Sequence, residues 1–172
     1  MKAIGKGSLA SILAAGLHVV RMVIYVVFFA LCIAAAVMPL APVVVATAER
    51  IAGHSINANI DIDVGDYIKL LRTFVTVGVT LYVVNRLLEI LRTLRFGTPF
   101  VRENADRFKR VGFALLLGEA SKIIFGILGA IFDAEVDIDT QLTTWIAIVA
   151  VFVLAEVFLE GAKMKEEQDL TV

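Results

Sequence analysis

The sequence predicts an all-α integral membrane protein of four transmembrane helices, laid out as two hairpins. Three observations carry that prediction. Residues 22–48 form a run of 27 without an Asp, Glu, Lys or Arg, longer than the ~20 residues needed to cross the hydrocarbon layer. Apolar residues make up 59% of the chain and the mean hydropathy is +0.87, against roughly 45–50% apolar in a soluble domain. The charged residues, 19% of the chain, gather between apolar runs instead of lining one side of every helix, as a soluble helical protein would require.

Residues 1–21 carry Lys2, Lys6, His18 and Arg21 and no acid. Residues 8–20 suit a short helix along the inner membrane surface that feeds the first span. The apolar stretch is too long for a cleaved signal peptide and does not close on the usual small residues, so the N-terminus is expected to be mature protein. Span one covers 22–48, with Pro39 and Pro42 kinking or ending its outer third. Cys32, the only cysteine, sits within it as a small hydrophobe, and no intramolecular disulfide can form. A polar loop, 49–66, leads to span two at 67–91. A basic connector, 92–110, leads to span three at 111–132. An acidic loop, 133–140, leads to span four at 141–160, with Trp145 as interfacial anchor, and 161–172 is a polar tail.

Both halves therefore read helix, acidic loop, helix, charged segment, a layout consistent with parallel repeats about an axis along the membrane normal. Each loop also holds a period-two alternation, NIDIDV at 59–64 and EVDID at 135–139, the pattern of a half-buried strand. Paired, the two would form a small extracytoplasmic two-stranded β element. Asp61, Asp63, Asp137 and Asp139 would form its acidic face, the apolar side lying on the helices. The spacing matches no calcium loop, so this face reads as solvated and no metal is expected.

Loop charge orients the chain. Eleven lysines and arginines fall in the N-terminus, connector and tail, against Arg50 alone in the two acidic loops. The positive-inside rule then predicts cytoplasmic N- and C-termini in an inner (cytoplasmic) membrane.

Within the connector, Thr98-Pro99 has the form of a helix start, Thr98 as N-cap and Pro99 at the first helical position. Phe100, Val101, Ala105, Phe108 and Val111 would then form an apolar stripe beside Arg102, Arg107, Lys109 and Arg110, lying in the headgroup region. This stretch is either a surface anchor or a docking surface for a cytoplasmic partner. Direct nucleic-acid binding is disfavoured, because Glu103 and Asp106 dilute the patch and anionic lipid competes for the same charges.

GTPFVRENADRFKRVG at 97–112 and FLEGAKMKEEQDLTV at 158–172 together resemble the bacterial membrane family catalogued as domain of unknown function twenty-nine seventy-five. Its pattern couples a PF-x-x-x-N connector to a tail similar to EG-x-x-x-x-EEQDLTV. The matching positions are Pro99, Phe100, Asn104, Gly112, Glu160, Gly161 and the run from Glu166 to Val172. The resemblance implies no assigned activity. The family's genes often adjoin a small helix-turn-helix regulator, which implies signalling or control of a repressor. The docking candidates are then Arg102, Asn104, Arg107 and Arg110 of the connector with Glu166, Glu167 and Asp169 of the tail. The tail either extends the last helix or folds against the connector.

Charges also interrupt the spans. At ~1.5 Å per residue, Arg86, Glu119 and Glu156 come to similar depth, with Lys122 nearer the midplane. A charge at the helix centre costs roughly 2.5–3.5 kcal/mol on insertion scales, so these should face protein. Gly118, Lys122, Gly126 and Ala130 share one small-residue face that admits a neighbouring helix. The expectation is one buried network of Arg86, Lys122, Glu119 and Glu156, aided by Asn85, with Glu89 and Glu160 reaching water. Lys69 and Arg72 are expected to meet Asp66 at the outer surface.

His18 and His54 are the only histidines and are expected on opposite sides of the membrane. No metalloprotease, phosphate-loop or paired-cysteine motif occurs, so the chain reads as no enzyme and needs no cofactor. The function expected is signalling through connector and tail. The alternative is a small ion- or proton-linked transporter, or a ligand-binding membrane protein, built on the buried charges, and transport by four spans would call for a homo-oligomer.

Overall fold

The computed structural model describes residues 9–52, 62–96, 99–134 and 136–170. Its regular structure is all helical: α1 (Leu9–Val37), a 3-10 turn (Met38–Leu40), α2 (Ala41–Ala52), α3 (Val64–Arg95), α4 (Arg102–Ile131) and α5 (Leu142–Asp169). Four helical stretches are long and apolar enough to cross a membrane, Ala10–Thr47, Val64–Arg95, Arg102–Ile131 and Leu142–Asp169. The protein is a multi-pass membrane protein. Large side chains such as Phe29, Leu117, Ile127 and Val149 are exposed along them, as contact with acyl chains rather than water allows.

Each boundary has a local cause. Pro39 and Pro42 withdraw two backbone donors, and the 3-10 turn falls there, between α1 and α2. At the other end, Arg21 does not interrupt α1, so the expected surface helix and the first span are one continuous rod. Asp63 caps α3, its Oδ1 accepting from the Val64 amide at 2.6 Å while Asp66 Oδ2 accepts from the Asp63 amide at 3.3 Å. This reciprocal box satisfies two orphan donors of the first turn. α4 ends at Ile131 with Phe132 as its C-cap; Asp133 follows with a left-handed φ of 55°, and the Ala134 amide donates to the Gly129 carbonyl at 2.8 Å. That is a Schellman closure, built on Asp where glycine is usual.

Among the described residues, helices adjacent in sequence are adjacent in space: α1 lies on α3, α3 on α4 and α4 on α5. No contact of similar extent returns from α5 to α1, so the helices form an open row and not a closed bundle. α4 is central and holds most of the buried residues, whereas Ala14 is the only buried one of α1 among the described residues. On α5 the buried residues are Ile148, Ala155 and Ala162, one stripe at a spacing of seven. Opposite it, Gly112 receives the Phe152 ring so closely that an added Cβ would lie 2.8 Å from it.

Among the described residues no strand forms. The first half of the first alternating segment, residues 59–61, lies outside the described residues. Its end is helical or caps a helix, so Asp63 is a capping residue and not part of an acidic sheet face. The second segment, 136–140, is irregular and packs on α4: Val136 lies over Gly129 and Ile138 over Gly126. Arg72 Nη1 donates to the Asp137 carbonyl at 2.8 Å, which anchors the segment to α3, while Asp137 and Asp139 are exposed. The apolar side does lie on the helices, and no partner strand is found among the described residues. The small-residue face is therefore shared. Gly118 meets Val79 of α3, Gly126 meets the loop, and Ala130 is exposed. Lys69 pairs with Asp66 at 3.8 Å as expected.

Candidate functional site

The polar residues concentrate where the C-terminal end of α3 meets the first turns of α4, at the basic end of the molecule. Residues 99–101 precede α4, and Val101 is its N-cap, with no side-chain cap. The helix thus starts at Arg102, not at Pro99, and Thr98 lies outside the described residues. The reason is Asn104. Its side chain is fully buried, Nδ2 donating to Thr93 Oγ1 at 2.6 Å and to the Pro99 carbonyl at 2.8 Å, while Oδ1 accepts from Arg107 Nη1 at 2.7 Å. Both amide donors are used, and the turn before α4 is tied to α3.

Arg107 continues the chain of contacts. Its Nε lies 3.3 Å from Glu89 Oε2. Glu89 also accepts from Arg86 Nη1, at 3.0 and 2.8 Å to its two oxygens. The Arg86 guanidinium sits 5.0 Å from the centroid of the Tyr82 ring, a cation–π distance. Tyr82, Arg86, Glu89, Arg107, Asn104 and Thr93 therefore form one continuous network across the α3–α4 seam. Tyr82, Glu89 and Thr93 are its unforeseen members; the signal for Glu89 was its spacing of three from Arg86 on one helix.

The single deep network expected from the sequence does not form. Arg86 pairs with Glu89, and Lys122 with Glu119 at 2.6 Å. Glu156 is exposed on α5, and Asn85 is half-buried beside a cleft between α1 and α3. Equal depth put these groups at one height, but rotation about the helix axes turns Glu156 away. Glu119 is 4% exposed and its Oε2 is buried with no hydrogen-bond partner. Lys122 is the more accessible of the pair.

Of the docking candidates, Asn104 is buried and Arg107 half-buried, and the contacts above engage both in holding α4. The others remain at the surface. Arg102 Nε lies 3.8 Å from Glu166 Oε1, both side chains well exposed, so α5 runs on as helix and meets the start of α4. Beneath this pair Phe100 stacks on Phe158 at 5.5 Å and abuts Gly161, with Phe108 on the same Phe158 at 4.9 Å. The apolar stripe of the connector thus packs on α5 and not on headgroups. A shallow cavity of about 230 Å³ opens here, with Val101, Glu103, Lys165 and Asp169 in its wall. Arg110 is exposed and lines a separate apolar cleft against α3, and Glu167 is exposed. Asp61 lies outside the described residues. Among the described residues no three His, Cys, Asp or Glu side chains converge as a metal site would need.

No curated protein and no solved structure matches the chain. A family model does, over residues 66–172, the stretch that holds α3, α4, α5 and every contact of the seam. The chain belongs to the family described as Protein of unknown function (DUF2975).

Proposed function

We propose that this is a non-enzymatic bacterial inner-membrane protein, both termini cytoplasmic, that signals by docking a cytoplasmic regulator at its basic end. The observation that carries the reading is the joint between connector and tail. α4 is held from inside by Asn104 and Arg107, while the ion pair that joins it to α5 above the Phe100–Phe158 packing, Arg102–Glu166 at 3.8 Å, is long and exposed. Exposed pairs of this kind are worth roughly 0.2–1 kcal/mol, so a partner that offers its own charges can replace it at little cost. The surface there carries both signs, Arg102 and Lys165 beside Glu103, Glu166 and Asp169, which suits a protein partner better than a polyanion. The neighbouring genes implied by the family resemblance make a helix-turn-helix regulator the partner to test. Co-purification of that regulator with the full chain is expected, and deletion of residues 165–172 should abolish it. Binding that survives the deletion would remove this reading.

A second reading, ion- or proton-linked transport, is favoured by the bare Glu119 Oε2 beside Lys122. It expects flux in liposomes that Glu119→Gln eliminates; flux no greater than in empty liposomes would end it.

A further inference from the structure

We infer that the cleft between α1 and α3 binds an anionic phosphate, with the headgroup of an acidic phospholipid as its natural source. The cleft has a volume of about 610 Å³, within the range of small-ligand sites. Its walls are two polar stripes on otherwise apolar helices. From α1 come His18 and Arg21, one turn apart on one face; from α3 come Asn85, Arg92 and Arg95 with the Arg86–Glu89 pair.

Charge decides what fits. Glu89 is the only acid in the lining, and it is engaged by Arg86 and by Arg107. Arg21, Arg92 and Arg95 make no ion pair among the described residues. Three guanidiniums therefore turn on one cavity with no counter-charge left for them. Guanidinium groups bind phosphate through paired N–H donors. Asn85 and His18 add side-chain nitrogens in the same wall.

Depth points to lipid. Arg21 is the last charge before the long charge-free run of α1, and Arg92 and Arg95 lie in the last turn of α3. The cleft thus sits where hydrocarbon gives way to headgroups, and basic pockets between membrane helices at that level suit acidic headgroups. The site is independent of the connector–tail surface, which lies across α4.

The test uses the full chain in phosphatidylcholine nanodiscs doped with phosphatidylglycerol, read by native mass spectrometry for lipid retained after detergent extraction. One phosphatidylglycerol per chain is expected, retained at least tenfold over phosphatidylcholine. R21Q/R92Q should lower retention at least tenfold, and R21Q alone about fivefold, at about 1 kcal/mol per arginine near the surface. R102Q/K109Q removes equal charge from the start of α4 and should leave retention unchanged. If R21Q/R92Q loses its helical circular dichroism, R21Q alone carries the comparison. Millimolar inorganic phosphate supplies the second arm: displacement of the lipid shows that the phosphate group suffices, and persistence assigns the headgroup as a whole. Equal retention in the parent and R21Q/R92Q, equal loss in both double variants, or retention of neither lipid nor phosphate would overturn the inference.

Discussion

Asn104 and Glu119 lie on the same helix, about four turns apart, and both are shut away from solvent, at 0% and 4% exposure. Their treatment differs. Asn104 has three partners drawn from α3, the preceding turn and α4 itself. Glu119 has one, Lys122 on its own helix, and one oxygen with none. A buried polar group whose bonds are made specifies a single arrangement of its neighbours. A buried carboxylate left half satisfied stabilises nothing in proportion to its cost. The first reads as architecture, and the second as a cost that the fold carries.

That contrast can be broken most sharply at Lys122. Lys122→Met leaves Glu119 buried without a counter-charge and should cost about 3–5 kcal/mol, seen as a lowered unfolding midpoint in lipid. Adding Glu119→Gln to the same chain should recover most of the loss. If the single variant is neutral, Glu119 is already uncharged and the pair is not an ion pair. Asn104→Ala comes next. It strands the Pro99 carbonyl and Arg107, and should lower stability by about 2–3 kcal/mol, with faster amide exchange in the first turns of α4.

Packing supplies a smaller effect. Gly161→Leu drives a side chain into the Phe100 ring, whose atoms already lie 2.6 Å from the position of an added Cβ. A loss of about 1–3 kcal/mol is expected, with the connector–tail contact displaced. Arg102→Gln should be nearly silent in stability, below about 1 kcal/mol, yet weaken regulator capture. Such a split between stability and binding would sharpen the distinction between groups that hold the fold and groups that face a partner.

The four membrane-crossing stretches were legible because hydrophobic length and charge position report directly on lipid. The limits of α3 were less so: the capping box at Asp63 and Asp66 starts the helix three residues before the expected 67. The partner of Arg86 was misread because depth along the axis follows from residue count, whereas azimuth depends on which helices are neighbours. The open row decides that, and it leaves Glu156 exposed. Asn104 stood out in its motif, but its burial depends on a carbonyl five residues earlier being turned inward, which no periodicity reveals. The alternation at 135–139 carried the apolar face correctly, because Val136 and Ile138 seat over the glycines of α4, a groove that period two alone does not reveal.

The open row has one more consequence. A linear array of four rods leaves two unlike margins, the outer flank of α1 and that of α5. Any self-assembly through both margins must join unlike surfaces, head to tail, and such contacts yield rings when the rotation closes and filaments when it does not. A two-fold dimer would instead have to use one margin twice. The stoichiometry of the assembled protein would therefore reveal which of its borders is adhesive.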